Sequence, residues 1–386
     1  MSMLPCPVPG PPDWRVDWDA VSEEFSWIRE MRQCPQEPRH HAEGNVWVHV
    51  RMVCEALASL PEWQNLAELD RELLFAAVLL HDVAKPACTR TEEGRITSRG
   101  HSHKGSIQAR RILWEYGAEV TKREHVCALV RHHQIPFYLI DRPDAQRMAL
   151  SISQHARCDL LAILAKADAL GRVCQDQQNL LVKIDLFEEL CREHGCLNRP
   201  WPFPSPLSRF EYFRREERDP HYEAHDESRC EAVVMCGLPG SGKDTWLTIN
   251  APNIPVISLD DIREELGAEP TGNQGEVIQA AKERARVLLR SGTDFAWNAT
   301  NLTRDLRSQL VDLFTDYNAR VRIVHVEAPR ESLFVRNDQR SRRVPPGAIE
   351  RMIDRWEIPD VTEAPIVEWW ENTNVLRRRA GGPMET

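Results

Sequence analysis

A glycine-rich loop in the second half of the sequence has the residue types that hold a chain of phosphates. The loop, Gly237-Leu-Pro-Gly-Ser-Gly-Lys243-Asp-Thr, follows an apolar run, residues 232–236, that predicts a β-strand. Backbone N–H groups at a helix start bind phosphates, and the lysine would reach the β- and γ-phosphates as a point charge. The pattern predicts a bound nucleoside triphosphate, ATP with Mg²⁺. We assign its contacts to Gly237, Gly240, Ser241, Gly242, Lys243, Asp244 and Thr245.

The residue after the loop lysine departs from the usual pattern. Asp244 stands where such loops have Ser or Thr. A carboxylate can still serve magnesium, directly or through a water molecule. The alternative for the whole segment is a plain glycine turn, which the preceding strand disfavours. The sequence therefore favours a nucleotide site and leaves the role of Asp244 open.

A second group of charged residues follows the next apolar run, residues 254–259. Asp260 and Arg263 come directly after this run, which predicts a strand, and ligands of such sheets lie at the carboxyl ends of strands. Asp260 could accept the proton of a hydroxyl acceptor while Arg263 holds a neighbouring phosphate. The alternative makes Asp260 a magnesium ligand and Arg263 a surface residue. We predict catalytic roles for both.

Two arginines further along the chain are candidates for a lid over the triphosphate. The pattern predicts a helix over Glu331–Arg343 in which Arg336 and Arg340 lie one turn apart on one face. There they would stabilise the charge of the transferring phosphoryl group. The alternative is a solvated helix face with no such role.

Polar residues interrupt the apolar stripes of several predicted helices in the first half of the sequence. His49 lies on the apolar stripe of one predicted helix, and His81 and Asp82 continue the stripe of a second. His133 continues the stripe of a third helix, and Asp168 that of a fourth. A single such histidine is commonly a hydrogen-bonded core residue. Several imidazoles and carboxylates buried together are costly unless a cation pairs with them. The group predicts one or two divalent transition metals, with Mn, Co, Ni, Zn and Fe all open.

The two halves of the sequence predict different folds. Residues 13–197 show helical periodicity, whereas short apolar runs alternate with helical patterns over 229–386. Such alternation is typical of a parallel sheet covered by helices. Between the halves, residues 198–228 are rich in proline and charge and predict a connector, and residues 1–12 predict a flexible tail. We therefore expect a multidomain chain, an all-α domain followed by an α/β domain.

Composition limits the function classes that remain. The 386 residues carry a net charge of −10, so any nucleic-acid partner must bind local basic patches. The sequence has no apolar run long enough to cross a bilayer, and its start lacks the order of a secretory signal. Its 11 cysteines show no CxxC pair, which favours a reduced, cytoplasmic protein.

The helical half resembles the HD-superfamily metal-dependent phosphohydrolases. The resemblance rests on His49, on the segment His81-Asp-Val-Ala-Lys85-Pro-Ala-Cys-Thr-Arg, on Gly100-His-Ser-His-Lys-Gly105, on Leu129-Val-Arg-His-His133 and on Asp168. It implies an all-helical fold in which a metal-bound water attacks phosphorus, because the cation lowers the pKa of that water. Lys85 would meet the phosphate oxygens.

The same resemblance implies a set of metal ligands. One metal would be held by His49, His81, Asp82 and Asp168, and a second by His101 and His133 with Asp82 bridging. Adjacent His132 and His133 point about 100° apart on a helix, and the apolar stripe favours His133. His103 could replace His101. Whether His41 and Glu43 line the pocket or lie in a solvated loop stays open.

The second half resembles the 5′-hydroxyl polynucleotide kinase domain of phage-type end-healing enzymes. The matching segments are the phosphate loop with Thr245-Trp246, Asp260-Asp-Ile-Arg263, Thr300-Asn-Leu302 and the run from Arg336 to Pro345. The resemblance implies Asp260 as general base, Arg263 as a contact to the 3′-phosphate of the acceptor, and Arg336 and Arg340 on the donor phosphates.

Together the two halves resemble the bacterial HD-Pnk RNA-repair enzymes. This resemblance implies phosphorylation of 5′-OH ends of RNA or DNA and removal of 2′,3′-cyclic, 2′- or 3′-phosphates, leaving ends for a separate ligase. No membrane partner is expected, and a homodimer stays open. The alternatives are a kinase of a small metabolite fused to a nucleotidase, a nucleotide-gated switch with a structural metal site, and an HD half that acts on nucleoside monophosphates or cyclic nucleotides.

Overall fold

The computed structural model divides the chain into two compact units, Met1–Trp201 and Pro202–Thr386. It describes residues 3–4, 6–269, 272, 274–340, 342–373 and 376–379. In the segment predicted as a tail, Met3, Leu4 and Cys6 are buried, and Cys6 lies beside Cys54, so these positions are packed. Within the segment predicted as a connector, Pro206–Arg214 form a helix of the second unit.

The first unit is built from helices with one short antiparallel hairpin. Two 3₁₀ turns, Ile135–Phe137 and Leu139–Asp141, separate its later helices. Its elements, in chain order, are α1 (Trp18–Glu24), α2 (Trp27–Gln33), α3 (Val46–Ser59), α4 (Pro61–Gln64), α5 (Glu68–Leu80), α6 (Lys85–Cys88), β1 (Arg90–Glu92), β2 (Arg95–Thr97), α7 (His101–Glu115), α8 (Val120–His132), α9 (Ala145–Ser153), α10 (Cys158–Leu170) and α11 (Gln177–Glu193).

Helix α5 lies at the centre of this unit and contacts α3, α8 and α10. All eight residues from Leu73 to Leu80 are buried, as expected for a helix that is apolar on every side. The neighbouring α3 and α10 approach very closely, because a Cβ on Gly171 would lie 2.5 Å from Cα of Val53. Asn45 caps α3 by accepting the N–H of Val48 (3.0 Å), which fixes where this helix begins.

The second unit alternates strands and helices around a sheet. Its elements, in chain order, are α12 (Pro206–Arg214), β3 (Cys230–Cys236), α13 (Lys243–Asn250), β4 (Val256–Ser258), α14 (Leu259–Glu265), α15 (Gly275–Ser291), β5 (Phe295–Asn298), α16 (Arg304–Asp316), β6 (Ala319–Glu327), α17 (Arg330–Asp338), α18 (Pro346–Ile353), β7 (Ile366–Asn372) and β8 (Leu376–Arg379).

Among the described residues the sheet has the strand order β4-β5-β3-β6-β7-β8, and only β8 runs antiparallel to its neighbour. The central strand β3 is almost wholly buried, which fits its apolar sequence. The carboxyl ends of β3, β4 and β5 lie at one edge of the sheet. The glycine loop follows β3, Asp260 comes shortly after β4, and Asn298 is the last residue of β5. The predicted fold class, an all-α domain followed by an α/β domain with a parallel sheet, is confirmed.

Four elements of the second unit differ from the sequence prediction. The strand predicted over 254–259 ends at Ser258, because this residue caps α14 by accepting the N–H of Asp261 (3.2 Å). The helix predicted over Glu331–Arg343 ends at Asp338. Strands β7 and β8 were not predicted, since their mixed aromatic and charged residues show no clean alternation.

Candidate functional site

The ends of several helices of the first unit bring six predicted metal ligands together. His49 lies on α3 and Asp168 on α10, His81 and Asp82 follow α5, His101 begins α7 and His133 follows α8. All six are buried. A helix that ends at the site can direct its last side chains inward, which explains why these residues continue apolar stripes.

Asp82 is shared by two groups of imidazoles. Its Oδ2 lies 3.3 Å from Nε2 of His81 and 3.6 Å from Nε2 of His49. Its Oδ1 lies 3.3 Å from Nε2 of His101 and 3.9 Å from Nε2 of His133. Each group is close enough to surround one metal ion. Asp168 joins the first group, with Oδ1 3.2 Å from Nε2 of His49.

Hydrogen bonds on the outer side fix the orientation of three rings. Nδ1 of His81, His101 and His133 lies 2.7–2.8 Å from the carbonyls of Val78, Ser98 and Val130, respectively. A carbonyl only accepts, so Nδ1 is the protonated nitrogen and the lone pair of Nε2 points to Asp82. Such outer partners are typical of metal-binding histidines.

In the His101–His133 pair both rings direct Nδ1 to a carbonyl, so the two inner nitrogens of the neutral rings face one another with their lone pairs. Nε2 of His49 lies 3.4 Å from Nε2 of His81, and the same distance separates Nε2 of His101 and His133. Nδ1 of His49 lies 2.9 Å from the carboxylate of Glu43, although the angle does not make a hydrogen bond. Two opposed lone pairs repel unless a cation lies between them. The donor set therefore fits divalent transition metals.

The charge states of these residues agree with that fit. Burial raises the pKa of Asp82, but opposing effects, of which the charge of Lys85 is the largest, hold the pKa well below its usual range. Burial lowers the pKa of His133 to about 3, so this ring is neutral. Neither carboxylate oxygen of Asp82 makes a geometrically satisfactory hydrogen bond among the described residues, although Nζ of Lys85 lies 2.7 Å from Oδ2. A buried anion with unused lone pairs is suited to metal binding.

The structure also places the residues that the sequence left open. Oε1 of Glu43 lies 2.8 Å from Nδ1 of His41, and Oε2 accepts the N–H of Val173 (2.9 Å), so Glu43 stands behind His49. His133 faces Asp82, whereas His132 stacks on His155 with ring centroids 6.0 Å apart. His101 is buried in the site and His103 is exposed.

A cavity of about 330 Å³ opens beside the metal-ligand cluster, and its wall is cationic. Lys85, Arg99 and Arg172 line it, together with His40 and His41. Nζ of Lys85 also donates to Oε1 of Gln36 (2.7 Å). Such a wall suits a phosphate group that approaches the centre.

Arg172 is a site residue that the sequence prediction missed. Its guanidinium forms an ion pair with Asp168, and the side chain is mostly buried. The positive charge of Arg172 opposes the effect of burial and keeps the pKa of Asp168 well below its usual range. The four-residue spacing from Asp168 to Arg172 at the end of α10 was the available signal.

In the second unit the glycine loop forms a compact cradle between β3 and α13. Gly237, Gly240 and Gly242 have φ angles of 139°, 82° and 109°, a region that side chains rarely adopt. A Cβ on Gly237 would lie 2.2 Å from the carbonyl oxygen of Val326, so only glycine fits there. Ser241 is buried within the loop, and Thr245 is exposed on the first turn of α13.

Lys243 folds back onto the loop. Its Nζ donates to the carbonyl oxygens of Gly237 (2.9 Å) and Leu238 (3.0 Å), and burial lowers the pKa of this amine to about 8. Asp244 lies beside it, with Oδ1 accepting from Nδ2 of Asn298 (2.7 Å) and Oδ2 3.6 Å from Arg340. The lysine is therefore positioned to exchange carbonyl contacts for phosphate oxygens.

The candidate acceptor side of this site is formed by the start of α14. Nη1 of Arg263 lies 2.5 Å from Oδ1 of Asp260, and Nε of Arg263 donates to Oε1 of Gln274 (2.9 Å). Asp260 is exposed whereas Arg263 is half-buried. A carboxylate open to solvent and held by a fixed cation can accept a proton from a substrate hydroxyl.

The two lid arginines lie on different elements, which corrects the prediction of one helical face. Arg336 is on α17, but Arg340 follows the end of this helix at Asp338. Nη2 of Arg336 donates to the carbonyl oxygen of Asn372 (3.2 Å), while its buried Nη1 has no hydrogen-bond partner among the described residues. Arg340 approaches Asp244 instead. Both side chains stay near the loop.

Asn372, at the end of β7, is the residue here that sequence reasoning missed. Its Nδ2 donates to the carbonyl oxygen of Ser241 (3.2 Å). A Cβ on Gly242 would lie 2.1 Å from that nitrogen, so the amide packs directly against the loop. No short-range signal could reveal a contact across 131 residues.

Comparison with known families agrees with the division into two kinds of domain. Residues 45–172 match the family model described as HD domain. Residues 233–359 match the model described as AAA domain. The chain therefore has a hydrolase-type HD domain ahead of a kinase-like P-loop domain. In the part of the chain that the structure describes, no helix combines the length and apolarity that a bilayer crossing needs.

Two solved structures resemble part of the chain. One is a proposed kinase from Chloroflexus aurantiacus, with 18% sequence identity and a TM-score of 0.33, covering 38% of this chain and 90% of that one. The other is a sugar kinase from Janibacter sp., with 18% identity and a TM-score of 0.29, covering 36% of this chain and 85% of that one.

Proposed function

We propose that this chain is a bifunctional enzyme that heals nucleic-acid ends, RNA ends above all. Its P-loop half phosphorylates a 5′-hydroxyl with ATP, and its HD half removes a 2′,3′-cyclic, 2′- or 3′-phosphate. The observation that carries the proposal is the pairing of Asp260 with Arg263 at 2.5 Å on the acceptor side of a phosphate loop. A base beside a fixed cation suits a hydroxyl whose neighbour is a phosphodiester.

The acceptor site supports a polynucleotide over a neutral sugar. Arg263 is held by both Asp260 and Gln274, so its guanidinium is fixed before substrate arrives. A nucleoside or sugar offers a hydroxyl but no adjacent phosphate for this cation. A 5′-terminal nucleotide followed by a phosphodiester offers both, and the guanidinium can bind that phosphate in a planar, two-point contact.

The proposed kinase step uses the chain's own charges at three points. Asp260 accepts the proton of the 5′-hydroxyl as the oxygen attacks the γ-phosphorus of ATP, and ADP leaves. Lys243 leaves its carbonyl partners for the β- and γ-phosphates. Arg336 and Arg340 meet the negative charge that spreads over the transferring group. Magnesium bound with the nucleotide neutralises part of that charge.

The proposed hydrolase step uses the cationic wall beside the metal-ligand cluster. His49, His81, His101 and His133, with Asp82 and Asp168, would hold one or two divalent metals. A bound metal supplies a water of lowered pKa and polarises the phosphoryl oxygen. Lys85, Arg99 and Arg172 bind and orient the phosphate, and their position at the cavity directs it toward the cluster.

The cellular setting follows from the products. A 5′-phosphate and a free 3′-hydroxyl are the ends that a ligase joins, so we propose a separate ligase as the functional partner. We further propose that the protein works in the cytoplasm, where cut RNA and ATP are available. Ligation restores the chain only after both ends are healed, which gives a reason for uniting the two activities.

One assay tests the proposal. An oligonucleotide with a 5′-OH at one end and a 2′,3′-cyclic phosphate at the other is incubated with ATP and each of Mg²⁺, Mn²⁺, Co²⁺, Ni²⁺ and Zn²⁺. We expect a 5′-phosphate and a free 3′-hydroxyl, and a DNA oligonucleotide with a 5′-OH and a 3′-phosphate is compared. Nucleosides, sugars and mononucleotides serve as competing substrates. Phosphorylation of a sugar or nucleoside in preference to the oligonucleotide would overturn the proposal.

A further inference from the structure

The carboxylate of Asp244 and the amide of Asn298 face each other at the edge of the phosphate loop. Asn298 ends β5, which pairs with the central strand β3 in parallel, with Asn298 opposite Met235. Asp244 lies in the first turn of α13. Nδ2 of Asn298 donates to Oδ1 of Asp244 at 2.7 Å. The two side chains therefore meet where the strand edge and the loop converge.

P-loop enzymes hold magnesium at the same two structural positions. A Ser or Thr hydroxyl after the loop lysine is one ligand, and a carboxylate on a neighbouring strand holds the metal from the other side. In this chain the loop position is a carboxylate and the strand position is a neutral amide. Each arrangement has one carboxylate for the metal. In the usual P-loop site it stands on the strand, and in this chain it stands on the loop.

We propose that Asp244 and Asn298 hold the magnesium of Mg-ATP with the charged and the neutral ligand exchanged. The proposal rests on the proposed kinase function, and it names how that site handles its metal. Asp244 supplies the carboxylate from the loop, and the amide oxygen of Asn298 takes the place of the usual strand carboxylate. Carboxylate and carbonyl oxygens are both suitable magnesium ligands.

The surroundings of the pair support this assignment. Asn298 is half-buried at the strand end, and its amide N–H₂ faces Asp244, so a half-turn of the amide about χ2 brings its oxygen to the same place. Asp244 is exposed, with a side chain 70% accessible, which leaves room for the waters that magnesium retains. The hydrogen bond from Asn298 thus orients the carboxylate of Asp244 on one side, and its other side is open to solvent.

Charge gives a second reason. A carboxylate next to a triphosphate repels it, and a divalent cation between them removes the repulsion. Two protein cations lie near Asp244: the ammonium of the neighbouring Lys243 and the guanidinium of Arg340, which lies 3.6 Å from Oδ2. If Asp244 served only to hold that arginine, its loss would loosen the lid and leave metal binding unchanged. The two roles therefore predict different measurements.

The test measures how strongly metal and nucleotide binding are coupled. The full chain is used with the substitution Asp82→Asn, which removes metal binding by the HD half. Calorimetry then gives the Kd of ATP in EDTA and in Mn²⁺. The ratio of the two Kd values is the coupling. Electron paramagnetic resonance of Mn²⁺ gives the bound fraction independently.

We expect Asp244→Ser to lower the coupling at least about tenfold, while ATP binding in EDTA is kept or strengthened because a negative charge is gone. The double variant Asp244→Ser with Asn298→Asp should recover most of the loss, since it returns the carboxylate to the strand. Asp261→Ser removes a neighbouring exposed carboxylate and should leave the coupling unchanged.

Either of two results overturns the proposal: full coupling in Asp244→Ser, or a double variant no better than Asp244→Ser. Retained ATP binding in EDTA shows that the loop is still folded in each variant. These measurements need no acceptor. The metal assignment can therefore fail while oligonucleotide phosphorylation stands, and it can hold if the acceptor proves to be another hydroxyl.

Discussion

Nε2 of His101 lies 3.4 Å from Nε2 of His133, and each ring directs its other nitrogen to a backbone carbonyl. On the far side of Asp82, Nε2 of His49 lies the same distance from Nε2 of His81, but Nδ1 of His49 faces the carboxylate of Glu43 instead of a carbonyl. Each pair thus presents two imidazole nitrogens to one space, and a single carboxylate separates the two spaces. This symmetry around Asp82 makes the metal content of the chain sensitive to that one residue.

The first prediction concerns Asp82→Asn, which preserves the shape of the side chain and removes its charge. Because both imidazole groups share this carboxylate, we expect both metals to be lost and phosphate release from 3′ ends to fall to background. Metal content per chain is measured by mass spectrometry after supplementation with Mn²⁺ or Co²⁺. Phosphorylation of 5′-OH ends should persist, and its loss would contradict two separate sites.

The second prediction concerns Asp260→Ala in the kinase half. Removal of a general base lowers a rate typically by about 10²–10⁴-fold, so transfer from labelled ATP to a 5′-OH oligonucleotide should fall by this order. Release of phosphate from 3′ ends should be unchanged. Asp261→Ala is the matched control, because Asp261 is an exposed carboxylate on the same helix that pairs with Arg342. Equal losses in both variants would refute a specific role for Asp260.

The third prediction connects helix packing to the metal centre through Gly171→Ala. The added Cβ would lie 2.5 Å from Cα of Val53, so α3 and α10 must separate. Overpacking of this kind costs about 1–3 kcal/mol or more. Since His49 is on α3 and Asp168 is on α10, metal affinity should weaken together with thermal stability.

The control for this prediction is Gly10→Ala, whose Cβ would meet nothing within 4 Å. Calorimetric titration with Mn²⁺ and a thermal melt check both variants. A Gly171→Ala protein with normal metal affinity would show that the spacing of these two helices does not set the ligand geometry.

The fourth prediction is a pH dependence that comes from His125, away from the metal-ligand cluster. Burial lowers its pKa to about 4, with Arg157 adding to the effect and Asp70 and Asp159 opposing it. Its Nε2 accepts the backbone N–H of Arg157 (3.4 Å). Because the unfolded chain takes up a proton near pH 6.5 and the folded chain does not, stability is complete above that pH and falls as pH decreases toward 4.

The expected loss at pH 5.5 relative to pH 7.5 is about 1.4 kcal/mol for this group. Hydrogen exchange of peptides from α8 measures it in the full chain. His125→Gln keeps an acceptor for the N–H of Arg157 but has no group that titrates. Between pH 7.5 and pH 5.5 this variant should therefore lose about 1.4 kcal/mol less stability than the unchanged protein. An identical pH dependence in the two proteins would rule out His125 as the cause.

Much of the fold could be predicted because its elements have clear periods. The buried run of β3 and the apolar stripes of α3, α5 and α10 are local signals that tertiary packing reinforces. Strand β7 could not be predicted in this way, since its aromatic and acidic side chains do not alternate regularly. Its place is set by pairing with β6, which is a long-range interaction.

The lid shows where a local pattern gives the wrong answer. Arg336 and Arg340 have helical spacing, but the side chain of Asn337 bonds both the N–H (3.1 Å) and the carbonyl (2.8 Å) of Val344. These bonds stabilise a turn, and the helix ends at Asp338. The sequence contains the asparagine, yet its partner is known only once the chain has folded.

The site residues divide in the same way. His49, His81, Asp82, His133 and Asp168 could be found because each is polar where its helix should be apolar. Gln36 and Asn372 act through contacts with distant segments, and such residues are common on the surfaces of other proteins. Only the distances between these side chains and their partners in the folded protein identify them as site residues.

The packing of Asn372 against Gly242 has a consequence for any shortened form of this protein. The side-chain amide packs against the cradle, and the backbone carbonyl of the same residue accepts a hydrogen bond from Arg336. A chain cut after Glu363 would retain every residue of the glycine loop and still lose the wall that shapes it. Nucleotide affinity should thus depend on a strand that follows the loop by more than a hundred residues, and minimal fragments designed from the loop alone would be poor ATP binders.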